Sequence, residues 1–249
     1  MYAGGLSVLL RKPSEGVAEW ANDLNGHLHN FWEVLRREDT FEQLKRLVEV
    51  TPLSSEYFEK SKEKIKNIPK ERLDRPDVSL AADYFVTMRQ SRQGLAKDYC
   101  TPTSRLRRGM NEQVSAWLTS IEGLQDVHAR LRRVELRCQP AIELIQELDT
   151  PDTLFYLDPP YLKETRSGGG EYGQFEMSKS DHIELLDCIT GIKGKFMLSG
   201  YPSSTYDFYA DINGWETAEI DVVASSSSKV SKLNSKRKEK LWLNFNPES

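Results

Sequence analysis

Apolar and polar positions recur along the chain at two periods, and the period changes by region. Leu28, Phe31, Trp32 and Leu35 lie at helical spacing and predict a helix over 26–37. From 40 to 135 the pattern stays helical and charge-rich with little strand signal, and predicts helices at 41–50, 54–67, 79–89, 112–120 and 125–132. On either side of that stretch, short β-rich runs alternate with helices. Strands are expected at 16–21, 134–138, 154–157, 195–199 and 240–245, and helices at 140–148 and 178–189. Ser178 with Asp181 reads as a capping box opening the last of these helices. Residues 1–10 read as a glycine loop running into an apolar helix. The alternation predicts an α/β fold made of 1–39 and 134–249, interrupted by a mostly helical insert over 40–133.

The 249 residues suffice for one large α/β domain with an inserted subdomain. The net charge of −4 is not that of a generally basic nucleic-acid binder, so any such function must rest on local patches. Three cysteines, Cys100, Cys138 and Cys188, are odd in number and widely spaced, and read as neither a disulfide framework nor a zinc site. No metal site is expected. No apolar run reaches the length of a membrane span and no signal peptide is evident, so the cytoplasm is the expected compartment. The glycine-rich stretch 163–173 is expected to be a mobile loop, and 224–240, with four serines followed by lysines, a flexible basic one.

The most informative residues are Asp158-Pro159-Pro160-Tyr161, directly after the apolar run 153–157. In open α/β sheets, ligands sit just beyond the carboxyl ends of strands. Two prolines stop the ladder and stiffen the chain, leaving the carbonyls of Asp158 and Pro159 free to accept hydrogen bonds. An acidic acceptor, a backbone acceptor and the flat ring of Tyr161 suit an exocyclic amine on a heterocycle such as adenine. Taken alone, the same four residues also fit a turn that merely ends a strand. Gly4-Gly5 allows close backbone approach to a ligand. Asp23, about 20 residues further on at a strand end, sits where ribose hydroxyls are commonly held, and is equally placed to cap the following helix. The loop 101–111 is polar and carries Arg105, Arg107, Arg108 and Asn111, a set suited to phosphates and base edges. Arg130, Arg132 and Arg133 form a second basic cluster, and either group also fits a solvated face.

With these residues in view, the chain resembles the DNA adenine methylase family, the Dam-type S-adenosylmethionine-dependent N6-adenine DNA methyltransferases. The resemblance runs over essentially the whole chain, through Tyr2-Ala3-Gly4-Gly5, Asn22-Asp23-Leu24-Asn25-Gly26, 107–117, 127–131, 154–161, Leu198-Ser199-Gly200-Tyr201 and Glu239-Lys240-Leu241-Trp242-Leu243-Asn244. It implies a Rossmann-like methyltransferase sheet with an inserted target-recognition subdomain. It further implies that Tyr2, Ala3, Gly4, Gly5, Asp23 and Asp158 bind S-adenosylmethionine. Asp158, the Pro159 carbonyl and Tyr161 would hold a flipped-out adenine for direct methyl transfer. Arg105, Arg107, Arg108 and Asn111 would contact double-stranded DNA. The implied setting is the cytoplasm of a bacterial or phage-infected cell. There the protein would act as a monomer, away from any membrane, alone or beside a cognate endonuclease of a restriction-modification system.

Members of the family usually carry a strand and a lysine-containing segment ahead of the glycine loop, and this sequence begins at that loop. Weak cofactor binding is therefore an expectation, with Arg11 or Lys12 the nearest replacements for the lysine. The alternative function is then an N-terminally truncated, cofactor-impaired DNA-binding remnant.

Overall fold

Where apolar residues recur at helical spacing, the computed structural model forms helices, and where they alternate or cluster, it forms strands. It describes residues 1–14, 16–166, 173–223 and 236–247. The chain divides into two compact units, Gly4–Cys138 and Met1–Ala3 with Gln139–Ser249.

In the unit Gly4–Cys138, helix α1 (Ser7–Arg11) precedes strand β1 (Glu19–Asn22) and helix α2 (Gly26–Arg36). Asn25 caps α2, its side chain accepting from the backbone N–H groups of His27 and Leu28. Asp23 is therefore not the cap. Gly26 is required at that start, because a Cβ there would meet the Glu71 carbonyl oxygen at 2.0 Å. The predicted stripe of α2 is buried throughout, with Phe31 stacked on Phe85 at 5.7 Å. Helices α3 (Glu38–Glu49), α4 (Ser55–Asn67), α5 (Val78–Arg89), α6 (Glu112–Glu122) and α7 (Leu124–Leu131) follow, close to the predicted spans. Buried polar groups tie them together. The Trp117 indole N–H donates to the Thr51 carbonyl at 2.9 Å, and the His128 ring, bonded to the Leu35 carbonyl, stacks on Phe41 at 4.3 Å. Strand β4 (Val134–Arg137) returns parallel to β1.

One expectation for this unit is corrected. The loop 101–111 contains a hairpin of β2 (Leu106–Arg107) and β3 (Met110–Asn111). Its turn is Arg108-Gly109, both at positive φ, 56° and 75°. Two-residue hairpin turns demand such angles, but Arg-Gly is a weaker signal than Asn-Gly.

In the other unit, helix α8 (Ala141–Leu148) leads to β5 (Leu154–Leu157), α9 (Lys179–Thr190), β6 (Lys195–Gly200), α10 (Ser204–Asn213), β7 (Glu216–Val223) and β8 (Lys236–Leu243). The capping box of Ser178 and Asp181 at α9 is present as expected. Strand order is β5-β6-β8-β7, with β5 parallel to β6 and the other pairs antiparallel. Phe155 and Leu157, Phe196 and Leu198, and Trp242 occupy matching ladder positions and form one apolar core with Leu185, Leu186 and Ile189 of α9 and Tyr206 and Ala210 of α10. Pairing sets register, so the alternate positions Tyr156, Met197, Ser199, Leu241 and Glu239 belong to the opposite face.

Neither α10 nor β7 is foreseen by the periodicity. The flexible loop expected over 224–240 is corrected in part, since Lys236–Lys240 lies in β8; residues 224–235 fall outside the described residues. The lysines look like a loop because nothing local neutralises them. In the fold, β7 brings acids alongside, as in the Lys238–Glu219 pair at 2.6 Å. The expected loop at 163–173 has short 3-10 turns at 163–165 and 173–175, with 167–172 outside the description. The mixed α/β class is as expected, with the strands distributed over three sheets among the described residues. No described helix is long and apolar enough to cross a membrane.

Candidate active site

Strand β5 is anchored by Phe155 and Leu157, both almost fully buried, and the ladder ends at Leu157 as Pro159 and Pro160 require. Asp158 thus emerges from a rigid strand with an open face to solvent, while Pro159 and Pro160 are buried and Tyr161 half-buried. The Tyr161 hydroxyl lies near the Asp158 carboxylate, whose pKa it lowers, and shares a 3.3 Å hydrogen bond with the Ser199 hydroxyl at the end of β6. The Tyr156 hydroxyl lies near Ser199 as well, which opposes the burial that raises its pKa. Tyr201 meets the Tyr161 ring edge to face, centroids 4.7 Å apart. The result is a fixed aromatic and hydroxyl wall beside one carboxylate.

The electrostatics of this cluster favour protonated forms. Partial burial raises the Asp158 pKa, against the neighbouring Tyr161 hydroxyl and the Met1 amino group, which lower it. Burial also raises Tyr161 and Tyr156. Glu239 of β8 is raised first by burial and then by the charge of Asp158, so a second carboxylate feels the first. The register puts Glu239 on the Ser199 face, two residues along from Leu241, the ladder partner of Ser199.

Behind the turn, His182 of α9 is fully buried. Its Nδ1 lies 2.7 Å from the Tyr206 hydroxyl, while its buried Nε2 has no hydrogen-bond partner among the described residues. Burial lowers its pKa to about 4; Asp181 and Glu164 oppose that and Arg166 reinforces it. The imidazole is neutral at ordinary pH. Arg166 and Glu176, both largely buried, form a two-pronged ion pair.

Tyr2 and Ala3 belong to this same unit. Tyr2 packs on the core, and burial, with Asp181 and Cys188 near its hydroxyl, raises its pKa. The Met1 amino group donates to the Tyr156 carbonyl at 2.7 Å.

The other unit holds the glycine loop and the first acidic candidate. Gly4, at φ +46°, donates its N–H to Asp23 Oδ2 at 2.9 Å, and Asn25 donates to Oδ1 at 2.9 Å. Nothing lies within 4 Å of a Cβ built on Gly4 or Gly5. Each Asp23 oxygen keeps a lone pair beyond the backbone N–H it accepts. The Tyr84 hydroxyl and the Cys138 thiol lie near that carboxylate; burial raises both pKa values, and Asp23 adds to each shift. Tyr84, on α5, carries no sequence signal linking it to Asp23. Cys138 could have been found as the residue after a parallel partner strand.

Among the DNA-contact candidates, Arg105, Arg107 and Arg108 are exposed on and beside the β2–β3 hairpin, with Leu106 76% exposed between them. Arg108 pairs with Glu122 at 3.1 Å and also donates to Thr119. Asn111 caps α6 through its side-chain oxygen and donates its amide to the Thr103 carbonyl. Arg130 is no surface cation. It is 12% exposed, pairs with Glu19 at 2.7 Å, and donates to the Leu9 carbonyl. Sequence reasoning gives no role to Tyr156, Ser199, Tyr201, Glu239 or His182; only the register and the α9 packing bring them to Asp158.

A search of curated proteins gave no match. The family model of D12 class N6 adenine-specific DNA methyltransferases matches residues 1–223, most of the chain and both Asp23 and Asp158, and the chain belongs to that family.

Proposed function

We propose that this enzyme transfers a methyl group from S-adenosylmethionine to N6 of an adenine flipped out of duplex DNA. The observation that carries the reading is the turn after β5. There an open Asp158 carboxylate, two buried prolines and a Tyr161 fixed by Ser199 and Tyr201 offer acceptors and a ring to an exocyclic amine. Asp158 and the Pro159 carbonyl accept from the two N6 hydrogens, which turns the nitrogen lone pair toward the methyl donor. The carboxylate would stabilise the positive charge that grows on nitrogen as the N–C bond forms and the donor's S–CH3 bond breaks, after which the surplus N6 proton would be lost to solvent. Tyr161 supports the base with its ring.

The residues present fit the proposed cofactor. Asp23 retains acceptor capacity for ribose hydroxyls, and the glycine loop leaves room at Gly4 and Gly5 for close approach. S-adenosylmethionine, when bound, supplies an electrophilic methyl group on sulfonium. By the family resemblance, Tyr2 and Ala3 are also assigned to the cofactor. Residues 1–39 and 134–249 form the catalytic part in this reading, and 40–133 the DNA-recognition part. Arg105 and Arg107 present charge to phosphates from the hairpin, and exposed Leu106 lies between them. Arg108 and Asn111 must leave their protein partners to reach DNA.

The test is incubation of the purified protein with duplex DNA and S-adenosylmethionine, followed by mass spectrometry of the released nucleosides. N6-methyladenine should appear. Methylated cytosine without methylated adenine would overturn the base assignment.

A further inference from the structure

We propose that Arg130 is a positioning residue for the cofactor loop, clamping α1, and with it the loop 4–6, onto β1 through Glu19 and the Leu9 carbonyl. The inference rests on the reading of Gly4, Gly5 and Asp23 as S-adenosylmethionine contacts.

Helix α1 has an unusual need. It runs for only five residues and none of them is buried, so no apolar face holds it. A helix that short does not persist on its own hydrogen bonds. Leu6, just ahead of it, is 5% exposed and sits at φ 56°. A non-glycine residue keeps that left-handed conformation only where its surroundings impose it. The glycine loop and its helix must therefore be held from outside.

The segment of β1 supplies two anchorage points. Just past its end, Asp23 accepts from the Gly4 N–H at 2.9 Å. At its start, Glu19, its side chain only 7% exposed, accepts from the Lys12 ammonium at 2.9 Å. The steps of strand from Glu19 to Asp23 span about 13 Å. Residues 4–12 are thus tied down at both ends.

Arg130 of α7 closes the Glu19 end. Its Nη1 lies 2.7 Å from Glu19 Oε2, and its Nη2 donates to Glu19 Oε1 at 2.8 Å and to the Leu9 carbonyl at 3.1 Å. One planar guanidinium so grips the carboxylate with both arms and the helix backbone with the remaining Nη2 hydrogen. A lysine ammonium does not reproduce that fork. The Leu9 carbonyl needs such a donor, because the residue one helical turn on is Pro13, which has no N–H. Arg133 adds a second hold from the same end of α7, donating to the Ser14 hydroxyl at 2.9 Å. Burial pushes the Glu19 carboxyl up, but Arg130 and Lys12 outweigh it and hold it below its usual range, so the pair is ionic at ordinary pH.

The experiment compares wild type with Arg130→Lys and with the double variant Arg130→Met, Glu19→Gln, which leaves no buried ion orphaned. Amide hydrogen exchange reads Gly4, Leu10 and Lys12, whose N–H groups bond Asp23, Leu6 and Val8. Calorimetry reads S-adenosylmethionine binding, and gel shift reads duplex DNA binding. In the double variant the three amides should exchange about tenfold faster or more, while α6 and α7 keep their protection. Cofactor Kd should rise about tenfold or more, with DNA Kd within about twofold. The lysine variant should fall between. Unchanged exchange at the three amides, or an unchanged cofactor Kd, would overturn the proposal. Faster exchange throughout the unit would overturn it as well, since Arg130 would then serve general stability. Should the double variant not fold, Arg130→Lys decides alone. It keeps a charge opposite Glu19 but releases the Leu9 carbonyl, and wild-type values in both readouts would count against the clamp. If the wild type binds no S-adenosylmethionine while the three amides alone respond, the clamp stands and the cofactor reading fails.

Discussion

Replacing Asp158 with Ala removes the one acceptor that combines negative charge with access to solvent at the end of β5. Removing one positioned electrostatic interaction from an active site costs roughly 10²–10³-fold in rate, about 2.7–4 kcal/mol of barrier. The fold should not register the change. Phe155 and Leu157 anchor the strand, Tyr161 keeps its Ser199 partner, and a substitution at an exposed position moves stability within about 0.5 kcal/mol. The sign of any stability effect is fixed as well. Asp158 has a raised pKa, so the folded state holds its proton longer than the unfolded chain does. Its ionisation therefore erodes stability as pH rises from the unfolded value through the raised folded one, and at neutral pH the variant should be no less stable than wild type. Asp158→Asn should fall between, keeping an acceptor oxygen without the charge. The assay is single-turnover transfer of a tritiated methyl group, run beside DNA binding and thermal unfolding. An Ala variant within about threefold of wild-type rate would refute the role of the carboxylate, and a variant that unfolds would refute the claim that the residue serves chemistry alone.

Asp23→Ala should weaken S-adenosylmethionine binding by about 1.5–3 kcal/mol, roughly ten- to a hundredfold, as the loss of charge-assisted bonds. Calorimetry reads it, and calorimetry on the wild-type chain separates an active enzyme from a cofactor-impaired DNA binder. Replacing Arg105 and Arg107 with Ala should lower the slope of log affinity against log salt by about 0.9 for each phosphate that is no longer neutralised, while Arg108→Ala adds less because Glu122 already pairs with it. Unchanged slopes would make the hairpin a solvated face. Glu239→Gln removes a charge that couples to Asp158, so the acid limb of the pH–rate profile should move to lower pH; a limb that stays put or moves up counts against the coupling. For His182, the unfolded chain takes up a proton near pH 6.5 and the folded chain only near pH 4. Acidification through that window should cost on the order of 3 kcal/mol of stability, and denaturant titrations of His182→Gln should lack that share.

What the sequence disclosed and what it withheld follow from how local each feature is. The helices α2 to α7 were visible because each carries its own apolar stripe, and the turn at Asp158 because prolines act on their immediate neighbours. Strands β2 and β3 escaped because two-residue strands have no period and Arg-Gly is an uncommon turn pair. Strand β7 escaped because it is rich in acids, and β8 looked like a basic loop because the acids that face its lysines lie on another strand. The functional surroundings were the least legible. Ser199, Glu239 and His182 come to the turn through parallel pairing, antiparallel pairing and helix packing, all long-range events that leave no mark in their own flanking residues. Arg130 shows the converse, a residue whose sequence setting is a basic cluster and whose structural setting is a buried ion pair with Glu19.

The central claim is that this chain methylates adenine in DNA through Asp158. The most direct measurement is single-molecule sequencing of DNA from an adenine-methylation-free host that expresses either the wild-type chain or Asp158→Ala. N6-methyladenine is predicted at a defined sequence context with the wild type and none with the variant. No adenine methylation from a folded wild-type chain, or equal methylation from both, would contradict it.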